Sequence, residues 1–219
     1  MAVDPGATRR REDLLPLRST LAIFVVIQIV DQLLSRQVRS VLSINEVAQE
    51  DSLALLALIS DVAFVVTLAA VVLGALLRTR AERMNRLVVV YLAVATLNLI
   101  INVATLVLIA QYQAAEELRL LGDLALIYAN TVLVFAVWYR LLDAESDHGA
   151  FEFPEDPARP DRPLGWVDYL FLSFNTNATF GPTAEVPHTR TAKVLMMVQT
   201  SLSLLVLVVL VARIVGLGR

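Results

Sequence analysis

The chain has 219 residues, of which 57% are hydrophobic and only 18% charged, with a mean hydropathy of +0.67; soluble domains sit nearer ~45–50% apolar. Its formal net charge of −3 includes no basic stripe with interleaved aromatics, so composition gives no support to a nucleic-acid partner. Cysteine is absent, which excludes disulfides and thiolate metal sites, and His148 and His188 stand apart in polar segments where they cannot pair on a helix as metal ligands.

The composition predicts an all-α integral membrane protein, multi-pass in the cell membrane, with the lipid bilayer as its surroundings. Backbone groups at that depth must satisfy themselves, and helices do so. Lys193 is the only lysine, an arginine bias expected of a GC-rich, bacterial genome.

Residues 1–18 form a charged N-terminal tail. Arg9, Arg10 and Arg11 precede an apolar run, but no small-x-small cleavage site follows, so the first segment reads as an uncleaved helix. Five apolar segments are long enough to cross ~30 Å of hydrocarbon. They cover about residues 19–36, 52–77, 87–111, 118–142 and 192–217. The first three make an N-terminal membrane bundle, 19–111. Arg80, Arg83 and Arg86 recur every third residue in RTRAERMNR, but that stretch is polar throughout. It reads as a charged loop between the second and third helices rather than a voltage sensor.

Between the last two segments, residues 143–165 hold seven acids, two arginines and prolines at 154, 157, 160 and 163. This suits an extended, solvated linker. An acidic vestibule that concentrates cations is the functional alternative. WVDYLFLSF, Trp166–Phe174, is apolar but too short to span as a helix. Followed by a polar, Gly-containing stretch, it predicts a half-helix and an extended loop re-entering the membrane within residues 166–187.

These residues carry a resemblance. Asp168 to Lys193 resembles, without a gap, the pore loop of the tetrameric potassium-channel family, roughly D-x-L-Y-F-S-F-x-T-x-T-T-V-G-Y-G-D-x-x-P-x-T-x-x-A-R. The shared residues are Asp168, Leu170, Ser173, Phe174, Thr176, Thr179, Gly181, Pro187, Thr189 and Ala192, with Lys193 for the arginine. VLVARIVG, Val209–Gly216, resembles the inner-helix end of that family. The resemblance implies a pore domain over 112–219, with outer helix 118–142, linker 143–165, pore helix and loop 166–187, and inner helix 192–217. It also implies a homotetramer, because one loop cannot enclose a pore. The filter-like residues would be Thr176, Ala178, Thr179, Phe180, Gly181, Pro182 and Thr183. Asp168 and Glu185 would stand in the vestibule, Glu185 as a ring of carboxylates or as a surface residue. A monovalent cation is the one ligand implied, and no cofactor is.

The departures from that family fall in the filter. Its T-V-G-Y-G is here Thr179-Phe180-Gly181-Pro182-Thr183. Pro182 fixes φ near ~−65° and lacks an N–H. Thr183, β-branched, replaces a glycine, and φ > 0 is strongly disfavoured for such a residue. The outer carbonyl ladder cannot form as it does in the family. The expected protein is a poorly selective or degenerate cation channel. The alternative is a non-conducting membrane scaffold or subunit that keeps the pore fold.

Polar residues also interrupt the other segments: Asp31, Asp61, Asn98, Asn102, Asp123 and Asn130. An ion- or proton-coupled transporter would use intramembrane carboxylates of this kind, whereas a structural bundle would use them as interhelical hydrogen bonds. Asp61 lies near mid-span, while Asp31 and Asp123 are expected nearer helix ends, in reach of solvent. No hydrolase, metalloprotease or P-loop pattern occurs, and no enzyme is expected.

Orientation sets two rules against each other. The positive-inside rule puts both the N-terminus and the arginine loop in the cytoplasm. With five full spans, the pore loop then enters from inside, the reverse of the potassium-channel family. The arginines favour an inverted pore unit, as in glutamate-receptor pores. A third arrangement lays the short first segment along the interface.

Overall fold

A computed structural model of the chain describes residues 17–44, 50–77, 79–109, 117–146, 148–154, 164–178 and 185–216. The described residues form six helices and one two-stranded ribbon. In order they are α1 (Leu17–Ile44), α2 (Glu50–Leu76), α3 (Ala81–Ile109), α4 (Glu117–Glu145), β1 (Phe151–Glu152), α5 (Trp166–Asn177), β2 (Val186–Pro187) and α6 (Arg190–Gly216).

Within four of these helices, stretches are long and apolar enough to cross a membrane: Leu58–Leu76 in α2, Glu82–Thr105 in α3, Gly122–Glu145 in α4 and Arg190–Val211 in α6. At 28 residues α1 is also long enough, but Gln28, Asp31, Gln32 and Arg36 interrupt its apolar run. Large apolar side chains face outward on these helices, including Ile29, Leu58, Val66, Leu97 and Val208, each 50% or more exposed apart from their neighbours. Such a surface suits lipid rather than water.

Side-chain contacts fix the helix directions. Tyr91 on α3 stacks with Phe24 of α1 and Phe64 of α2, at ring-centroid distances of 4.4 and 5.1 Å. Further along α3, Asn98 meets Asp31 of α1 and Ser60 of α2. So α1 runs parallel to α3, and α2 antiparallel to both. On α4, Trp138 donates from Nε1 to Thr96 Oγ1 at 3.0 Å, and Glu145 accepts from Asn85 at the start of α3. That makes α4 antiparallel to α3. The long helices therefore alternate in direction along the chain. The α2–α3 turn, the end of α4, the β1–β2 ribbon and the starts of α5 and α6 lie at one end of the bundle.

The start of α3 corrects one expectation. The charged stretch after α2 is not a loop through Arg86, because α3 begins at Ala81. Arg80 O accepts from the N–H of Arg83 and of Met84, at 2.9 and 3.0 Å, and Glu82 sits in the first turn, where a carboxylate favours a helix N-terminus. The turn is tight. Gly74 O accepts from Thr79 N at 3.0 Å, and a Cβ on Gly74 would stand 3.0 Å from Leu87 Cδ1.

Two apolar cores share α4. One face, with Val134, Val137 and Leu141, packs on Phe24, Ile27, Phe64, Tyr91 and Leu92 of α1–α3. The other, with Phe135, Ala136 and Tyr139, packs on Phe151, Tyr169, Leu172, Ala192 and Met196. Leu34, Leu99 and Val103 join the second core from the front helices, α1–α3. The ribbon β1–β2 is antiparallel, with Phe151 opposite Pro187 and Glu152 opposite Val186.

Candidate functional site

The candidate site is a cradle in which the short helix α5 lies between α4 and α6. Its first turn is anchored at the ribbon end. Asp168 Oδ2 accepts from Gly165 N at 2.6 Å, the carboxylate end of a helix cap. This is where Asp168 belongs: it holds the start of α5 and is half-buried. Asp143, buried at the end of α4, accepts from Ala150 N at 2.7 Å, Phe151 N at 3.2 Å and Tyr169 Oη at 2.7 Å. One carboxylate thereby ties α4, the ribbon and α5 together. Arg140 lies 4.2 Å from the centre of the Trp166 ring.

The buried residues of α5 are Tyr169, Leu172, Ser173, Thr176 and Asn177. Their spacing of three and four is one helical stripe, and it faces the cradle. Ser173 Oγ donates to Val132 O of α4 at 2.8 Å. Gln199 of α6 donates from Nε2 to Ser173 O and to Ser173 Oγ, both at 2.9 Å, and its Oε1 accepts from Tyr139 Oη. One turn further along α6, Ser203 donates to Asn177 Oδ1. Thr176 donates to Leu172 O at 2.8 Å within α5 and is 1% exposed. The opposite face of α5, Val167, Phe171 and Phe174, is 70%, 52% and 51% exposed; the Phe174 ring meets that of Tyr128 edge to face at 5.9 Å between centroids.

These contacts set the depth of α5. It starts level with the start of α6 and ends against Ser203, about 13 residues or roughly 20 Å along that helix. The 27 residues of α6 rise ~40 Å in all, so α5 stops near the middle. Its last carbonyls are directed there, with Ala178 N closing the end on Phe174 O at 2.9 Å. The chain is described again from Glu185. By Val186 it is back at the ribbon, and His188 N donates to Ala150 O at 2.9 Å. Both ends of the stretch between α5 and β2 are thus placed, one at mid-depth and one at the ribbon end.

Of the expected filter-like residues, Thr176 and Ala178 lie at the inner end of α5. Thr179, Phe180, Gly181, Pro182 and Thr183 fall outside the described residues. Glu185 is not a surface residue: it is 5% exposed, with Oε2 buried and unpartnered among the described residues. His188 and Glu152 approach to 3.3 Å across the ribbon, both more than half exposed.

The intramembrane polar residues divide. Asp31, Asp61, Asn98 and Asn102 come together, joined by Ser35 and Ser60. Asp123 and Asn130 are each 1% exposed on α4. Asp31 is not near a helix end. The helix runs to Ile44, eight residues beyond the apolar segment, which leaves Asp31 in its middle with 0% exposure. Asp123, expected within reach of solvent, is likewise buried.

Sequence reasoning passed over Tyr139, Gln199, Ser203 and Asp143. A signal existed for two of them: Gln199 and Ser203 are four apart in the predominantly apolar α6, the spacing of one helix face. Comparison with known protein families, curated proteins and solved structures gives no match.

Proposed function

We propose that the chain is a potassium-channel-like membrane protein, assembled as a homotetramer, that passes monovalent cations with little selectivity. The observation that carries this reading is the placement of α5. A helix end at mid-depth in a bilayer survives only where protein or a wet cavity meets its backbone. The carbonyl end of α5 is the negative end of its dipole, which favours a cation. The cradle is built from neutral groups, Tyr139, Ser173, Asn177, Gln199 and Ser203, which hold the helix in place without trapping a charge.

Self-association has its own support. Val194, Met197, Ser201, Leu204, Val208 and Val211 are exposed on α6 at alternating spacings of three and four. That is the spacing of a helix–helix seam. The side chains of α5 that leave the cradle are also apolar and uncovered. In the proposed tetramer these faces meet neighbouring copies and lipid.

In this reading α1 is the fifth span, in keeping with the alternating helix directions. The N-terminus, the α2–α3 turn and the mouth of the pore loop then share one side, and the arginines place that side in the cytoplasm. A reporter fused to the C-terminus should report the opposite side; a cytoplasmic C-terminus overturns the orientation.

Flux through the purified protein in liposomes tests the function. The expected result is potassium and sodium flux of comparable size, abolished by Gly181→Val. A strong preference for potassium contradicts the argument from Pro182 and Thr183. Those two residues also favour the second reading, a non-conducting subunit with the pore fold, and a folded tetramer without flux would decide for it.

A further inference from the structure

The front helices hold a second polar centre, separate from the cradle. Asp31 Oδ2 accepts from Asn98 Nδ2 at 2.6 Å, and its Oδ1 from Asn102 Nδ2 at 3.2 Å. Asn98 Oδ1 accepts in turn from Ser60 Oγ at 2.7 Å, and Ser35 Oγ donates to Asp61 Oδ1 at 2.9 Å. All six residues are more than nine-tenths buried. They come from three helices, so no local turn chemistry explains them.

On α1 the polar residues continue as a stripe. Gln28, Asp31, Gln32 and Ser35 follow spacings of three and four, which share a helix face. Gln28 Oε1 and Nε2 and Gln32 Nε2 are buried with no hydrogen-bond partner among the described residues. Asn130 of α4, 1% exposed, has an unpartnered Oδ1. A bundle that needed only glue would not carry orphaned polar atoms beside a hydrogen-bonded network, because each costs free energy in an apolar interior.

Charge is the second argument. The hydrogen-bond partners of Asp31 are both neutral, and the ionisable group whose field reaches it is another carboxylate, Asp61. On α3 the ionisable neighbour is Tyr91, whose O–H is engaged with Phe24 O at 3.2 Å. On α4 the register from Trp138–Thr96 sets Val132–Ala136 level with Asp31, and none of these is ionisable. Asp123 lies nine positions from Val132, roughly 14 Å along the helix. A bare carboxylate in this setting is expensive, and the cheapest remedy is to bind a positive charge.

We propose that Asp31, with Asn98 and Asn102, is a proton-binding site inside the α1–α3 bundle. A proton suits the geometry better than a metal cation. Both Asp31 oxygens already accept amide N–H groups, so a metal ion would have to displace donors. Protonation needs only that one carboxamide turn, so that its oxygen accepts the new Asp31 O–H. Asn98 is linked to Ser60, and a hydroxyl can reverse its own bond when the carboxamide turns. The reaction is a simple uptake: Asp31 carboxylate plus H⁺ gives the carboxylic acid, with no other bond made or broken. This site does not depend on the pore reading, and either can fail alone.

Infrared spectroscopy of the full chain in lipid vesicles tests it. Acidification should bring up the C=O band of a buried carboxylic acid. Asp31→Asn should remove that band, and Asp61→Asn should weaken proton binding about tenfold, by removing the neighbouring negative charge. A band that never appears, or that survives Asp31→Asn unchanged, overturns the proposal. Should that variant fail to fold, labelling of the unmutated protein with a hydrophobic carbodiimide decides, since only the protonated acid reacts. Label on Asp31 should fall roughly tenfold per pH unit on the alkaline side. No label there, or label independent of pH, overturns the proposal.

Discussion

Among the described residues, two polar networks stand in a largely apolar helix bundle, and they are built from different chemistry. The cradle around α5 uses a tyrosine, a glutamine, an asparagine and serines, with no ionisable carboxylate in its deep part among the described residues. The front network is centred on two aspartates. The cradle's hydrogen bonds end on backbone carbonyls, Val132 O and Ser173 O, as well as on side chains. The front network joins side chain to side chain between helices whose backbones are already satisfied. The difference teaches what each is for. Neutral groups bonded to backbone position a helix that stops at mid-depth. The Asp31 carboxylate, bonded to side-chain amides, is not needed to hold uninterrupted helices together, and its cost favours a bound charge.

The comparison can be broken by substitution. Gln199→Leu should have the largest effect. It keeps volume but takes the acceptor from Tyr139 Oη and the donor from Ser173 O and Oγ, and thermal or denaturant unfolding in detergent should show a loss of roughly 2–3 kcal/mol. An effect as small as that of a lipid-facing substitution would mean that α5 is held by apolar packing alone. Asp31→Leu should cost about 2 kcal/mol, since the amides of Asn98 and Asn102 lose their acceptor. Asp31→Asn should cost less than Asp31→Leu, or even stabilise by ~1 kcal/mol, because it removes a buried charge while keeping polar atoms in place. The reverse order would make the carboxylate a structural strut rather than a site.

Smaller effects sharpen the picture. Asp168→Ala removes the acceptor for Gly165 N and should cost ~1 kcal/mol by the same unfolding measurement. Glu152→Gln at the exposed His188 pair should fall within ~0.5 kcal/mol of the parent. A larger loss there would show that the ribbon is closed by that pair rather than by the backbone of β1 and β2.

Much of the helical layout was legible. Long apolar runs announce α2, α3, α4 and α6 within a few residues, because an apolar segment of that length has few other uses. The start of α3 was not, since Arg83 and Arg86 look like loop residues by charge. Both are exposed there, so their charge costs the helix little. The burial of Asp31 was hidden for a related reason. The apolar run ends at Arg36, but α1 continues to Ile44, and burial follows the helix packing rather than the run. The short α5 was visible as an apolar segment too short to span. Its partners were not, because Tyr139 and Gln199 are 60 positions apart and meet only through the cradle. Thr179–Thr183 were singled out by resemblance and lie outside the described residues.

The absence of cysteine makes the decisive measurement clean. Thr183→Cys provides a single thiol in the stretch between α5 and β2. Cation flux through tetramers in liposomes should be recorded while a charged, membrane-impermeant thiol reagent is added from the side of the ribbon. The pore reading predicts that the thiol reacts and that flux falls as it does, while Val208→Cys on the outer face of α6 does neither. Complete modification of Thr183→Cys with cation flux unchanged would contradict it.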